Sequence, residues 1–130
     1  MAKRNAQLHK VSGRIRFLQG DLLHPLDRPV DLMVANLPYV MSREIAGLDP
    51  EIKQFEPILA LDGGPDGLQI FRRLVSMVGG YVKPNASLFF ELDPRQFAPA
   101  IQYVESVFPR AAIEIAPDLT KRPRVLIVNL

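Results

Sequence analysis

Residues 30–36 read Val-Asp-Leu-Met-Val-Ala-Asn, a nearly continuous apolar run. A run of this kind, without strict alternation, is the pattern of a strand buried on both faces of a parallel sheet. It stops at Leu37-Pro38-Tyr39. Proline has no N–H to give a central ladder, so the strand is expected to end at Asn36. One such strand commits the chain to a layered α/β architecture, because both of its faces need cover.

The flanking segments fit that architecture. Residues 14–20 alternate and then meet Gly20-Asp21, which predicts a strand followed by a turn. Residues 1–10 read as a helix with Ala2, Ala6 and Leu8 on its inner side and no capping residue before it. Leu68, Phe71, Leu74, Val75 and Val78 share one face of a helix over 66–78. Residues 79–86 read as a turn and 87–92 as a second buried strand. Asp93-Pro94 is an N-cap and first-turn pair, opening a helix that runs to about residue 108. Strands are expected at 111–118 and 123–130. Their connection is too short for a parallel crossover, so that pair is predicted antiparallel. The fold expected is an α/β sandwich whose sheet is mostly parallel and ends in a carboxyl-terminal antiparallel hairpin. Residues 41–65 mix charges, prolines and glycines over a long connection, and long ordered connections tend to carry function.

Composition removes several classes of function. With 130 residues the chain is one domain's worth, and 48% hydrophobic with 23% charged residues is ordinary globular chemistry. The formal net charge is only +2 and the basic residues are dispersed, so no direct nucleic-acid interface is expected. There is no cysteine, which excludes disulfides and thiolate metal sites and fits a cytoplasmic location. His9 and His24 stand alone, so no metal site is expected. No apolar stretch approaches the roughly 20 residues of a membrane span, and the charged start has no apolar segment behind it.

The end of the 30–36 strand is where chemistry is expected, because ligands of open α/β sheets gather beyond the carboxyl ends of strands. Asn36 offers an amide oxygen, and the Leu37 carbonyl offers a second acceptor. Pro38 fixes its own φ and holds Leu37 extended. Tyr39 supplies a flat wall. Two acceptors beside a wall suit a planar NH2 group, of an amide or of a nucleobase. Its nitrogen is a poor nucleophile that positioning and hydrogen bonding can assist without a strong base. A strand-end turn that happens to contain these residues accounts for the tetrapeptide equally well.

The Asn36–Tyr39 stretch, NLPY, resembles the (N/D)-P-P-(Y/F/W) motif of class I S-adenosylmethionine-dependent methyltransferases acting on planar nitrogen. Residues 54–68, QFEPILALDGGPDGL, are similar to a stretch of the HemK/PrmC-type release-factor glutamine methyltransferases, and the match continues in order along the chain. The resemblance implies an incomplete Rossmann-like class I methyltransferase sandwich. It also implies methyl transfer from S-adenosylmethionine to the glutamine amide in the Gly-Gly-Gln loop of a peptide-chain release factor. Asn36, Leu37, Pro38 and Tyr39 would then be the catalytic and amide-binding group. Asp21 and Leu22, with Asn36, would lie against the cofactor. Phe55, Glu56 and Pro57 would belong to a substrate-side loop within 41–65. Asp21 also reads as a plain turn aspartate, and Glu56 as an exposed charge. Leu37 replaces the motif's usual first proline, and the same Leu-Pro-Tyr occurs in ribosomal-RNA adenine dimethyltransferases. A nucleic-acid adenine methyltransferase fragment is therefore the alternative enzyme, and a non-catalytic interaction domain the alternative to an enzyme.

Within these residues no glycine-rich loop follows a buried strand, and no acidic residue ends a strand after such a loop. The chain thus reads as the carboxyl-terminal part of a methyltransferase, lacking the first two strands and inactive alone, with negligible affinity for S-adenosylmethionine. The 30–36 strand would then leave an edge free, through which self-association is expected.

Overall fold

The apolar run does form a strand, β1 (Val30–Asn36), and it stops at Asn36 as the proline requires. The structure, a computed structural model, describes residues 1–130. A short helix α1 (Ala2–Leu8) precedes β1. After β1 come a 3-10 segment (Ser42–Gly47) and the short helices α2 (Pro50–Phe55) and α3 (Ile58–Leu61). The order then runs α4 (Gln69–Met77), β2 (Val82–Glu91), α5 (Phe97–Val107), β3 (Ala112–Pro117) and β4 (Pro123–Asn129). No helix is long and apolar enough to cross a membrane.

The four strands form one sheet in the order β1-β2-β4-β3. β1 and β2 are parallel, while β2·β4 and β3·β4 are antiparallel. The expected carboxyl-terminal hairpin is therefore present, but a mostly parallel sheet is not. The hairpin folds back so that β4 lies between β2 and β3, which adds a second antiparallel pair. The expected strand at 14–20 is also absent. Ser12–Arg14 is a 3-10 turn and residues 15–19 pair with no strand. Ile15, Phe17 and Leu18 stay exposed, so the alternation there covers no core.

The core lies between one face of the sheet and the pair α4/α5. All five residues predicted for the inner face of α4 are buried: Leu68, Phe71, Leu74, Val75 and Val78. They meet Leu88 and Phe90 of β2, Ala100 and Val104 of α5, and Leu126 and Val128 of β4. Phe71 and Phe90 pack edge to face at 5.0 Å and 76°, in the geometry the ring quadrupoles favour. Burial on both faces of β1 is not observed. Met33 is buried, but Leu32 and Val34 are 54% and 73% exposed, because no helix covers that side.

β2 starts earlier than the sequence suggests, at Val82, and takes most of the expected turn into an irregular stretch. The register with β1 shifts between Val30 and Leu32. Asn85 absorbs the shift with φ of +63°, a conformation that asparagine tolerates better than most residues. Asp93 caps the next helical segment as predicted, accepting from the Arg95 N–H at 2.9 Å.

Candidate functional site

The carboxyl end of β1 carries the candidate residues Asn36 to Tyr39. Asn36 pairs with Glu91 in the parallel ladder, so its backbone is fixed by the sheet. Strand alternation places Asn36 and Glu91 on the open face, opposite α4 and α5. The Asn36 side chain is exposed and makes no hydrogen bond within the chain, and the Leu37 carbonyl accepts none. Two acceptors therefore stand free side by side. A cleft of about 180 Å³ opens on them, lined by Asn36, Leu37, Tyr39, Val40, Ala60 and Leu61.

Tyr39 forms the wall. Its hydroxyl donates to Glu91 Oε1 at 3.3 Å. Burial, and then the Glu91 charge, raise the Tyr39 pKa above its ordinary value. The phenol is thus neutral at physiological pH, a wall rather than a base. Tyr39 also lines a second cleft of about 330 Å³, with Val40, Leu48, Ile52 and Leu61 and the charged residues Glu44, Asp93 and Arg95.

The chain after Tyr39 is fastened to the segment that precedes α4. Val40 N–H donates to Leu61 O at 2.9 Å, and Gly63 N–H to Val40 O at 2.8 Å. The Ser42 hydroxyl donates to Asp62 Oδ1 at 2.7 Å, and the Gly64 N–H to the same oxygen at 2.8 Å. These donors, the Ser42 hydroxyl first, lower the Asp62 pKa. The segments approach too closely for side chains. A Cβ on Gly63 would lie 2.6 Å from both Pro38 O and Gly67 O. Gly67 adopts φ of +75°, and a Cβ there would overlap Tyr39 O and Gln96 Nε2. Gly63 and Gly67 of the Gly63-Gly64-Pro65-Asp66-Gly67 stretch thus serve close contact with the Asn36–Tyr39 turn.

Arg95 ties these charges together. It donates to Glu44 at 2.9 and 3.1 Å and to Asp93 Oδ1 at 2.9 Å. Hydrogen bonding to Arg95 lowers the pKa of both carboxylates, and the two together raise that of Arg95.

The remaining candidates lie apart from this cluster. Asp21 is exposed and binds Arg73 of α4 at 2.6 Å through Oδ2. Its other carboxylate oxygen has no partner in the chain. Leu22 has φ of +49° and packs its side chain against the core. Neither lines the two clefts at Tyr39. Phe55, Glu56 and Pro57 form the exposed junction of α2 and α3 and line neither cleft. The segment meets the turn through Ala60, Leu61 and Asp62 instead. With Phe55 75%, Ile58 63% and Leu59 87% exposed, the junction presents an apolar ridge to solvent.

Sequence reasoning missed Ala60, Leu61, Glu91 and Arg95, none of which carries a motif of its own. It left Gln96 with a helix-start role only. The Asp93-Pro94-Arg95-Gln96 spacing does announce a capping box, but Gln96 Nε2 also donates to Tyr39 O at 2.8 Å, a partner 57 residues away.

Known proteins resemble this chain along most of its length. A Synechocystis protein named release factor glutamine methyltransferase is 38% identical over 127 residues, which is 95% of this chain and 42% of that protein. A Geobacter sulfurreducens protein of the same name is 40% identical over 93 residues, covering 71% and 32% respectively. One from Deinococcus radiodurans is 36% identical over 124 residues, covering 95% and 43%. The chain spans less than half the length of these relatives. It corresponds to their carboxyl-terminal part. No protein-family model matches it.

Proposed function

Since the chain belongs to the family of release factor glutamine methyltransferases, we propose that it supplies the part of such an enzyme that holds the target amide. The substrate in this reading is the glutamine of the Gly-Gly-Gln loop of a peptide-chain release factor. The observation that carries it is the pair of unengaged acceptors, Asn36 Oδ1 and Leu37 O, on a cleft walled by Tyr39. A primary amide has two N–H donors, and two fixed acceptors match them.

The residues act by position and charge. Asn36 and Leu37 each accept one N–H, which fixes the amide plane so that the nitrogen lone pair, perpendicular to it, is presented to the methyl donor. As the N–C bond forms and the methyl–sulfur bond breaks, its electron pair staying on sulfur, positive charge gathers on nitrogen and both N–H···O hydrogen bonds strengthen. One proton then leaves nitrogen for solvent, and the product is the N-methyl amide. Tyr39 limits the tilt of the amide plane and stays a neutral hydrogen-bond donor to Glu91. No strong base takes part.

S-adenosylmethionine, when bound, supplies an electrophilic methyl group on sulfonium sulfur. The donor set present suits one end of it. The free oxygen of Asp21 would be an acceptor for its exocyclic amine, and Asn36, at the strand end, would lie against it. In this reading residues 1–130 are the carboxyl-terminal part of a catalytic domain, with 41–65 on the substrate side, and transfer no methyl group by themselves.

The test is transfer of labelled methyl from S-adenosylmethionine to release factor, by the protein extended to the length of its relatives. Asn36→Ala is expected to cut the rate by roughly 10²–10³, the cost of removing one fixed charge-stabilising partner, with an unchanged melting temperature. Retention of more than about a tenth of the rate would overturn the reading.

A further inference from the structure

Gln96 is the one buried polar side chain in the molecule, at 2% exposure. An unpartnered primary amide in such a place is costly, and all of this one's donors are used. Oε1 accepts from Asp93 N–H at 3.3 Å. Nε2 donates to Tyr39 O at 2.8 Å and to Asp66 O at 3.3 Å. One side chain therefore joins three segments remote in sequence: the Asn36–Tyr39 turn, the glycine turn before α4, and the end of β2.

Capping alone does not explain a glutamine. The capping bond uses only the oxygen, and a glutamate would serve it equally well. What demands an amide is the pair of carbonyl acceptors facing Nε2, because a carboxylate there would set oxygen against oxygen. Gly67 makes the room, since any side chain at that position would overlap Nε2.

We propose that Gln96 is a positioning residue for the amide clamp, an assignment that rests on the reading of Asn36 and Leu37 given above. The turn is held upstream by Asn36 in the β1·β2 ladder and downstream by Tyr39 O on Gln96. Only Leu37 and Pro38 lie between these anchors, and Pro38 has a fixed φ. Two anchors and a proline leave the Leu37 carbonyl and the Asn36 amide little freedom to separate. Gln96 touches no substrate; it sets the spacing of the groups that do.

Amide hydrogen exchange in the 130-residue chain tests this. In the unmodified protein the Gln96 Nε2 protons are expected to exchange about tenfold or more slowly compared with those of exposed Gln69 and Gln102; equal rates overturn the proposal. Gln96→Glu at neutral pH is expected to speed exchange at Val40, Gly63 and Gly67 by about tenfold, with Phe90 and Leu126 unchanged. Lowering the pH to about 4.5 protonates the buried replacement carboxyl and restores a donor to Tyr39 O, so protection, taken relative to the intrinsic exchange rate at each pH, rises again. Gln96→Met, of similar length but without a donor, is expected to show the lowered protection at both pH values. Equal behaviour of the two variants, or acceleration spread evenly over the core, overturns the positioning role. A Gly-Gly-Gln peptide added to the unmodified chain reports separately on the clamp. If it fails to shift the Asn36 side-chain resonances, the clamp reading fails, while the exchange pattern still decides what Gln96 holds.

Discussion

Gly67→Ala concentrates the argument about the site into one methyl group. The residue has φ of +75°, where an L side chain costs about 1–2 kcal/mol. The new Cβ would also meet Gln96 Nε2 and the Tyr39 carbonyl oxygen. The glutamine end can rotate away, but it then gives up its bonds to Tyr39 O and Asp66 O, at about 1 kcal/mol each. The Tyr39 carbonyl is backbone and moves only with the turn. The sum is about 3 kcal/mol, a large share of a domain's usual 5–15 kcal/mol, so the variant folds with its turn displaced. For a chain of this size that loss corresponds to a fall of about 10 °C in melting temperature. Gly79→Ala is the control, because nothing lies within 4 Å of a Cβ there and its φ is not positive. Circular dichroism melts should place it at or slightly above the unmodified chain. A Gly67→Ala melt within about 2 °C of the control would refute the close-approach argument.

Two further outcomes are expected. The carboxylates of Asp62, Asp93 and Glu44 have lowered pKa values in the folded state. Their contribution is complete above the unfolded carboxylate range, near pH ~4, and is lost as pH falls through the lower folded values. Melting temperature should thus drop in acid, and Arg95→Met should flatten that drop by removing the main cause for Asp93 and Glu44; parallel acid limbs would contradict this. The free edge of β1, with Leu32 and Val34 exposed beside it, is expected to support self-association that strengthens with concentration. Sedimentation should show Val34→Lys as the weaker associator, and a monomer at all concentrations for both chains would dismiss the edge as an interface.

Much of the fold was legible because it follows from local periodicity. The inner face of α4, the end of β1 at a proline, the Asp93 cap and the antiparallel hairpin each depend on residues within a few positions of one another. The errors arose where partners decide. Residues 14–20 alternate well enough for a strand, yet a strand exists only against another, and none is there. The run at 30–36 is apolar enough for burial on both faces, but only the side carrying Met33 and Ala35 finds a cover. The parallel character was overestimated because order along the chain does not say where a hairpin inserts.

The sequence by itself determined which groups stand at the candidate site: an amide, a carbonyl held by a proline, and a tyrosine, in one short stretch whose groups need no distant help to be named. Only the tertiary structure decided what keeps them in place. Gln96 reaching Tyr39 O, Glu91 receiving the Tyr39 hydroxyl and Gly67 yielding space are contacts between residues many positions apart. Such contacts leave no periodic trace in the chain, because each is a single meeting fixed by how the sheet, the glycine turn and the start of α5 converge.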